Sequence, residues 1–258
     1  MARSDTMIKR LGETSLNNMG SEMTIIDYIS CTDMTVEFKN GYISNSVRYH
    51  DFISGDIKNP FDITVCGIGY LGNGEYKAYI NGKQTAQYAI WHGMLQRCYD
   101  KNVQDTHPAY IGCSVTKEWH NFQNFAKWYN ESYYEVEGQR MHLDKDWIKK
   151  GNKIYSPDTC IFVPQIINSL IVNRKRARGN LPLGICIHRD KYIVFCASNT
   201  KKQVYLGTHN TPELAFKSYK TFKESYIKQV AKSYENQIPT KLFEAMINYE
   251  INIDDWNK

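Results

Sequence analysis

Between Met141 and Gly179 the chain sets acids, a strand-like apolar run, an amide-bearing helix and a basic cluster in one continuous stretch, MHLDKDWIKKGNKIYSPDTCIFVPQIINSLIVNRKRARG. Asp144 and Asp146 stand two residues apart, which on a strand puts both on one face. Paired carboxylates of this kind either hold a divalent cation or pin a neighbouring loop, here through Asn152, Lys149 and Lys150. His142 shares the face of Asp144, and a histidine there is either a general base or a hydrogen-bonded structural residue. Arg174, Lys175, Arg176 and Arg178 follow the QIINSLIVN run. Cations packed this densely repel one another unless phosphates neutralise them, which predicts a seat on a DNA backbone. The stretch reads either as a metal-dependent nuclease site or as the remains of one kept for holding DNA.

Charge distribution also points to a phosphate-bearing partner. The net charge of the 258 residues is +5, yet Met141 to Lys202 carries 12 Lys and Arg against four Asp, a net of +8, leaving 20 basic and 23 acidic residues elsewhere. A basic middle between near-neutral or acidic flanks is the footprint of a phosphate-binding surface; the competing reading is a solvated lysine-rich face. Apolar residues make up 42% and aromatics 13%, enough to build packed cores. No apolar run approaches the roughly 18 residues that span a bilayer, and MARSDTMIKRLGETS lacks a signal-peptide core, so a cytoplasmic protein with no membrane partner is expected. Cys31, Cys66, Cys98, Cys113, Cys160, Cys186 and Cys196 are odd in number and never form a C-x-x-C pair, which supports neither a disulfide framework nor a zinc knuckle.

The elements that must position these residues can be read from periodicity. Met23 and Ile25, then Met34, Val36 and Phe38, then Val47 and Tyr49 alternate between turn signals at Lys39-Asn40-Gly41 and Asn59-Pro60, predicting a barrel-like antiparallel module of about three to five strands. Gly67, Gly69 and Gly72 spell a G-x-G-x-x-G, but Asn73-Gly74 and a strand-turn pattern ending at Asn81-Gly82 follow where a helix should open, which argues against a dinucleotide site. Ile90, Trp91, Met94, Leu95 and Cys98 give a helix over 88–99. Trp119, Phe122, Ala126 and Tyr129 give another over 117–129, with Thr116 as its N-cap and its aromatics in the core. From Leu183 onward, three strand-like runs are separated by Arg189-Asp190 and by Ser198 to Lys202. A helix follows, opened by Thr211, Pro212 and Glu213, with Ala215, Tyr219, Phe222, Tyr226, Val230 and Ala231 as its apolar stripe. That stripe covers one sheet face and frees the other, where Arg189, Lys191, Tyr192, Lys201 and Lys202 are the candidate DNA contacts. After Ile238-Pro239 a short helix and an extended end are expected.

Two segments resemble known families. VTKEWHNFQNFAKWY, LDKD, YSPDTCIFV and QIIN are similar to the phage-type HNH endonucleases, whose pattern runs from an aromatic helix through LDR-I-D and a Gly- and Asn-containing loop to Y-S-P-x-N-C-R-W and a helix with E-Q-x-x-N. Leu183 to Tyr234, with YLGTHNTPELAFKSYK as its core, resembles AP2 domains, in which three strands lie on one helix and dock in the DNA major groove. Both occur in phage and prophage proteins of Gram-positive bacteria. The resemblance implies an α+β chain: an N-terminal antiparallel β module (1–75), an HNH-like ββα region with flanking helices (76–179), an AP2-like sheet and helix (180–236) and a tail (237–258). It implies double-stranded DNA as partner and the cytoplasm of a bacterial host as location. In a live nuclease, Asp144 with Asn168 would hold Mg²⁺ or Mn²⁺, and His142 or Asp146 would help activate water against a backbone phosphate. The chain departs from the pattern: Lys145 follows Asp144, Thr159 precedes the cysteine, and Gln165 and Asn168 are what remains of the helix motif. A lysine of ordinary pKa, about 10.4, is a poor base at neutral pH. DNA binding without assured cleavage is therefore the leading expectation; an active HNH endonuclease, or a protein-binding inhibitor of a host defence complex, are the alternatives.

Overall fold

Alternating apolar residues build the first sheet. In the computed structural model, which describes residues 9–171, 181–198 and 203–252, the chain divides into two units, Met1–Asn130 and Glu131–Lys258. In the first unit, strands β1 (Thr14–Leu16), β2 (Glu22–Ser30), β3 (Asp33–Phe38) and β4 (Ile43–Val47) pair antiparallel in chain order. Met23, Ile25, Tyr28, Met34, Val36 and Phe38 are buried on one face, closed by Phe52 of helix α1 (Tyr49–Ser54) and by Ile57. β1 and β4 lie at opposite edges, so the sheet is open rather than barrel-like. After β4 the chain turns into α1, and Phe52 fills the core that a closing strand would otherwise cover.

The glycine-rich segment is a packing device. A Cβ on Gly69 would collide with Leu95 and Trp91, one on Gly72 with Asn121, and one on Gly74 with Gln123. Gln123 ties this loop down, accepting from the Tyr76 amide at 3.0 Å and donating to the Tyr76 carbonyl at 2.9 Å. The loop leads through a hairpin, β5 (Tyr79–Ile80) and β6 (Lys83–Gln84), into α2 (Ala86–Tyr99), capped by Thr85. α3 (Lys101–Thr106) follows, capped by Asp100. The helix expected over 117–129 is broken. Lys117–His120 is a 3₁₀ turn, and α4 (Phe122–Ser132) starts after Asn121, which is extended because Tyr70 N–H donates to the His120 carbonyl and Phe122 N–H to the Tyr70 carbonyl. Thr116 makes no cap hydrogen bond. The aromatics are core, as their spacing predicts: Trp91, Trp119, Phe122 and Phe125 are buried, and Trp91 Nε1 donates to the Trp119 carbonyl at 2.7 Å.

In the second unit β7 (Met141–Asp144) pairs antiparallel with β8 (Ile161–Pro164), and one helical turn, α5 (Gln165–Asn168), follows directly. β9 (Ile185–His188), β10 (Lys191–Ala197) and β11 (Gln203–His209) form an antiparallel sheet in that order. Thr211 Oγ1 accepts from Leu214 N–H and starts α6 (Pro212–Ser233), as Thr-Pro-Glu predicts. α6 serves two cores. Ala215 and Tyr219 pack on Ile185, Val194 and Cys196, whereas Ile227, Val230 and Ala231 join Trp147, Ile161, Val163, Ile167 and Leu170. Ile238, with Leu242 and Met246 of α7 (Thr240–Ile247), completes that second core, so the segment after Pro239 is an integral layer. The buried stripe of α6 runs through Lys223 and Ile227; Phe222 and Tyr226, expected in it, are half-buried beside it. The fold is α+β, and among the described residues no helix is long and apolar enough to cross a membrane.

Candidate nucleic-acid interface

The hairpin between β9 and β10 fixes the register of the sheet. His188 pairs with Lys191, and the two residues between them, Arg189 and Asp190, both take left-handed conformations at φ 48° and 60°. This is the primed turn whose twist matches that of the strands, and it holds Arg189 at the tip against the ordinary preference of a side chain with a Cβ. Pairing then assigns faces. Ile187 lies opposite Tyr192, and Ile185 opposite Val194. Tyr192 packs with Leu183 and Leu206 against Ile185, Val194 and Cys196, on the side that α6 covers. The candidate DNA contact Tyr192 therefore faces the core, and the neighbours it alternates with face outward.

The outward face carries Cys186 and His188 from β9, Lys191, Ile193, Phe195 and Ala197 from β10, and Gln203, Tyr205 and Thr208 from β11. Leu206 is an extra residue that shifts the register between Val194 and Phe195, which keeps Tyr205 opposite Phe195. Their rings lie 5.6 Å apart, and the Tyr205 hydroxyl pairs with Thr208 Oγ1 at 2.8 Å. Tyr205 is 58% exposed. Strand parity relative to Lys191 could have found Phe195 from sequence. Lys191 and Arg189 are exposed at the turn end of this face. Lys201 and Lys202 lie outside the described residues, as do Arg174, Lys175, Arg176 and Arg178. The arrangement offers cations for phosphates, flat rings for bases or sugars, and a hydroxyl pair for hydrogen bonding.

The acidic stretch is organised differently. Asp144 Oδ1 accepts from the amides of Asp146 at 2.7 Å and Trp147 at 2.8 Å, capping the turn that leaves β7. Asp146 Oδ2 pairs with the buried Lys145 Nζ at 2.8 Å. Buried Asn152 donates to the carbonyls of Lys145 and Ile154 and accepts from Ile154 N–H, and its own N–H reaches the Lys149 carbonyl. Burial pushes the Asp144 carboxyl above the ordinary carboxylate range despite the two amides, and pushes the Cys160 thiol up to about 12. His142 pairs with Val163 across the strands and Asp144 with Ile161; His142 Nε2 is buried. Asn168 ends the single turn of α5 and is half-buried. Of the four residues, these contacts tie Asp144 and Asp146 into one loop. Both acids are engaged in holding it, and among the described residues no three His, Cys, Asp or Glu side chains gather as a metal site would need. Asp144 Oδ1 and Asp146 Oδ2 are the oxygens so engaged.

No protein-family model, curated protein or solved structure matches the chain.

Proposed function

We propose that this protein binds double-stranded DNA through the open face of the β9–β10–β11 sheet, with the β7–β8–α5 segment acting as scaffold. The observation that carries the reading is the one-sided sheet. α6 covers one face, and the other presents the Phe195–Tyr205 pair with Lys191 and Arg189 at its turn end. The AP2 domains that this segment resembles dock such a sheet in the major groove, and here cations would position it on phosphates with Arg189 placed to pair bidentately with guanine. The sequence excess of cations between Met141 and Lys202 supports the same reading, including the cluster from Arg174 to Arg178 as a sequence-independent phosphate contact.

Binding-site selection from a duplex library, run on the wild type and on Arg189→Ala, tests it. The wild type should recover a motif, and the variant should lose discrimination at one base position, a cost of about 1–3 kcal/mol. Identical motifs with equal affinities would remove this sheet from sequence reading. Supercoiled plasmid incubated with Mg²⁺ or Mn²⁺ addresses the nuclease alternative: nicking abolished by Asp144→Ala would favour the metal-dependent reading.

A further inference from the structure

The hairpin of β5 and β6 is a tight turn with an exposed isoleucine beside its tip. Tyr79 pairs with Gln84 and Ile80 with Lys83, and Asn81 and Gly82 turn the chain at φ 50° and 75°. Its base is mounted on α2. Thr85 Oγ1 donates to the Lys77 carbonyl at 2.9 Å and accepts from Tyr88 N–H, while Thr85 N–H donates to the Ala78 carbonyl at 3.0 Å. The Tyr79 ring lies 5.5 Å from that of Tyr88, and its hydroxyl accepts from Gln84 Nε2. One side of the ribbon is thus occupied in holding it. On the other, Ile80 is 56% exposed beside exposed Lys83; Lys77, also exposed, precedes the ribbon at its base.

We infer that this hairpin is a second contact with duplex DNA, an inference that rests on the DNA-binding reading above. Ile80 enters a groove against the bases, and Lys83 and Lys77 take backbone phosphates. A two-stranded ribbon is narrow enough for the major groove, and aliphatic tips wedge against base steps in the minor groove. From Glu75 to Gln84 there are two lysines and one acid, so the ribbon's charge complements phosphate. The mount on α2 fixes the tip in advance, so little order has to be imposed on binding.

The experiment uses the full chain and a fluorescent mixed-sequence duplex, with affinity measured across a salt series. It compares the wild type, Ile80→Ala, the Lys77→Ala/Lys83→Ala pair, and a sheet variant, Lys191→Ala/Phe195→Ala. Thermal melts confirm that each is folded. The lysine pair should flatten the slope of log affinity against log salt by about 1.8. Ile80→Ala should weaken binding about tenfold with the slope unchanged. Wild-type affinity and slope in both hairpin variants, with the sheet variant impaired, overturns the hairpin contact and leaves the sheet reading standing. A loss in the lysine pair with Ile80→Ala unaffected overturns the insertion of Ile80. No binding by the wild type overturns both readings.

Discussion

Phe195 and Tyr205 face each other across β10 and β11 with ring centroids 5.6 Å apart, on the side of the sheet away from α6. Tyr205 is exposed and Phe195 half-buried, and an aromatic pair on the face that α6 does not cover is available to a partner's flat groups. Replacing both rings with alanine should weaken duplex binding by about 1–3 kcal/mol per ring in contact, while circular dichroism and the melting profile stay close to wild type. Full affinity in the double variant, measured by fluorescence anisotropy, would remove the pair from the interface.

What the sequence disclosed, and what it hid, follows from physical causes. Thr211, Pro212 and Glu213 announce a helix locally, and Arg189-Asp190 announces a tight turn, because both signals act within a few residues. A tyrosine's chemistry suggests a base contact at Tyr192, but strand parity decides its side: its pairing with Ile187 sends it toward the core. A lysine interrupts an apolar stripe in the sequence, whereas in the fold Lys223 is buried along with Tyr219 and Ile227 on the same helix. The acids at Asp144 and Asp146 read as a ligand pair, whereas the two amides that Asp144 caps and the Lys145 ammonium that Asp146 meets appear only in the folded turn after β7. Helical period also cannot say where α6 leaves one core and enters the next.

Asp144 as a turn cap makes a prediction opposite to Asp144 as a metal ligand. Asparagine retains an oxygen for the amides of Asp146 and Trp147, so Asp144→Asn should keep wild-type stability in urea denaturation. Asp144→Ala leaves those N–H groups without their acceptor and should cost about 1–3 kcal/mol. Equal stability of the two variants would show that the cap is not holding the loop.

Lys223 should give the protein an alkaline signature. Burial holds its ammonium below the ordinary lysine value of 10.5, opposed in part by Cys196. Between the lowered folded value and 10.5 the unfolded chain binds a proton that the folded chain has released, so stability rises as pH climbs through that window. Below the folded value both states are protonated, and the fold carries the full cost of burying the charge. Lys223→Met should therefore raise the melting temperature at neutral pH and abolish the alkaline rise. A parallel pair of stability–pH curves would mean that Lys223 is solvated in the folded state.

The segment after α7 is fastened by contacts spread along the second unit. Glu224 Oε1 accepts from Ile251 N–H at 2.7 Å, and Lys220 Nζ donates to the Ile251 carbonyl at 2.7 Å while pairing with Glu224 at 3.1 Å. Lys150 Nζ donates to the Glu250 carbonyl at 2.7 Å, and the Tyr249 ring lies 5.2 Å from buried Trp147. Ending the chain after Asn248 removes a half-buried aromatic side chain and these charge-assisted hydrogen bonds together, so unfolding free energy should fall by about 2–4 kcal/mol. Tyr249→Ala alone should produce a substantial part of that loss, because it uncovers Trp147 while leaving the strap's backbone bonds in place. Hydrogen exchange supplies the local check: in Tyr249→Ala the amides of α7 and the C-terminal half of α6 should lose protection before those of β9–β11, since the former share the core that Trp147 closes, whereas the truncation also takes Ile251 from the β9–β11 core and should loosen both. Uniform loss of protection across the unit in Tyr249→Ala would show that the two cores open as one.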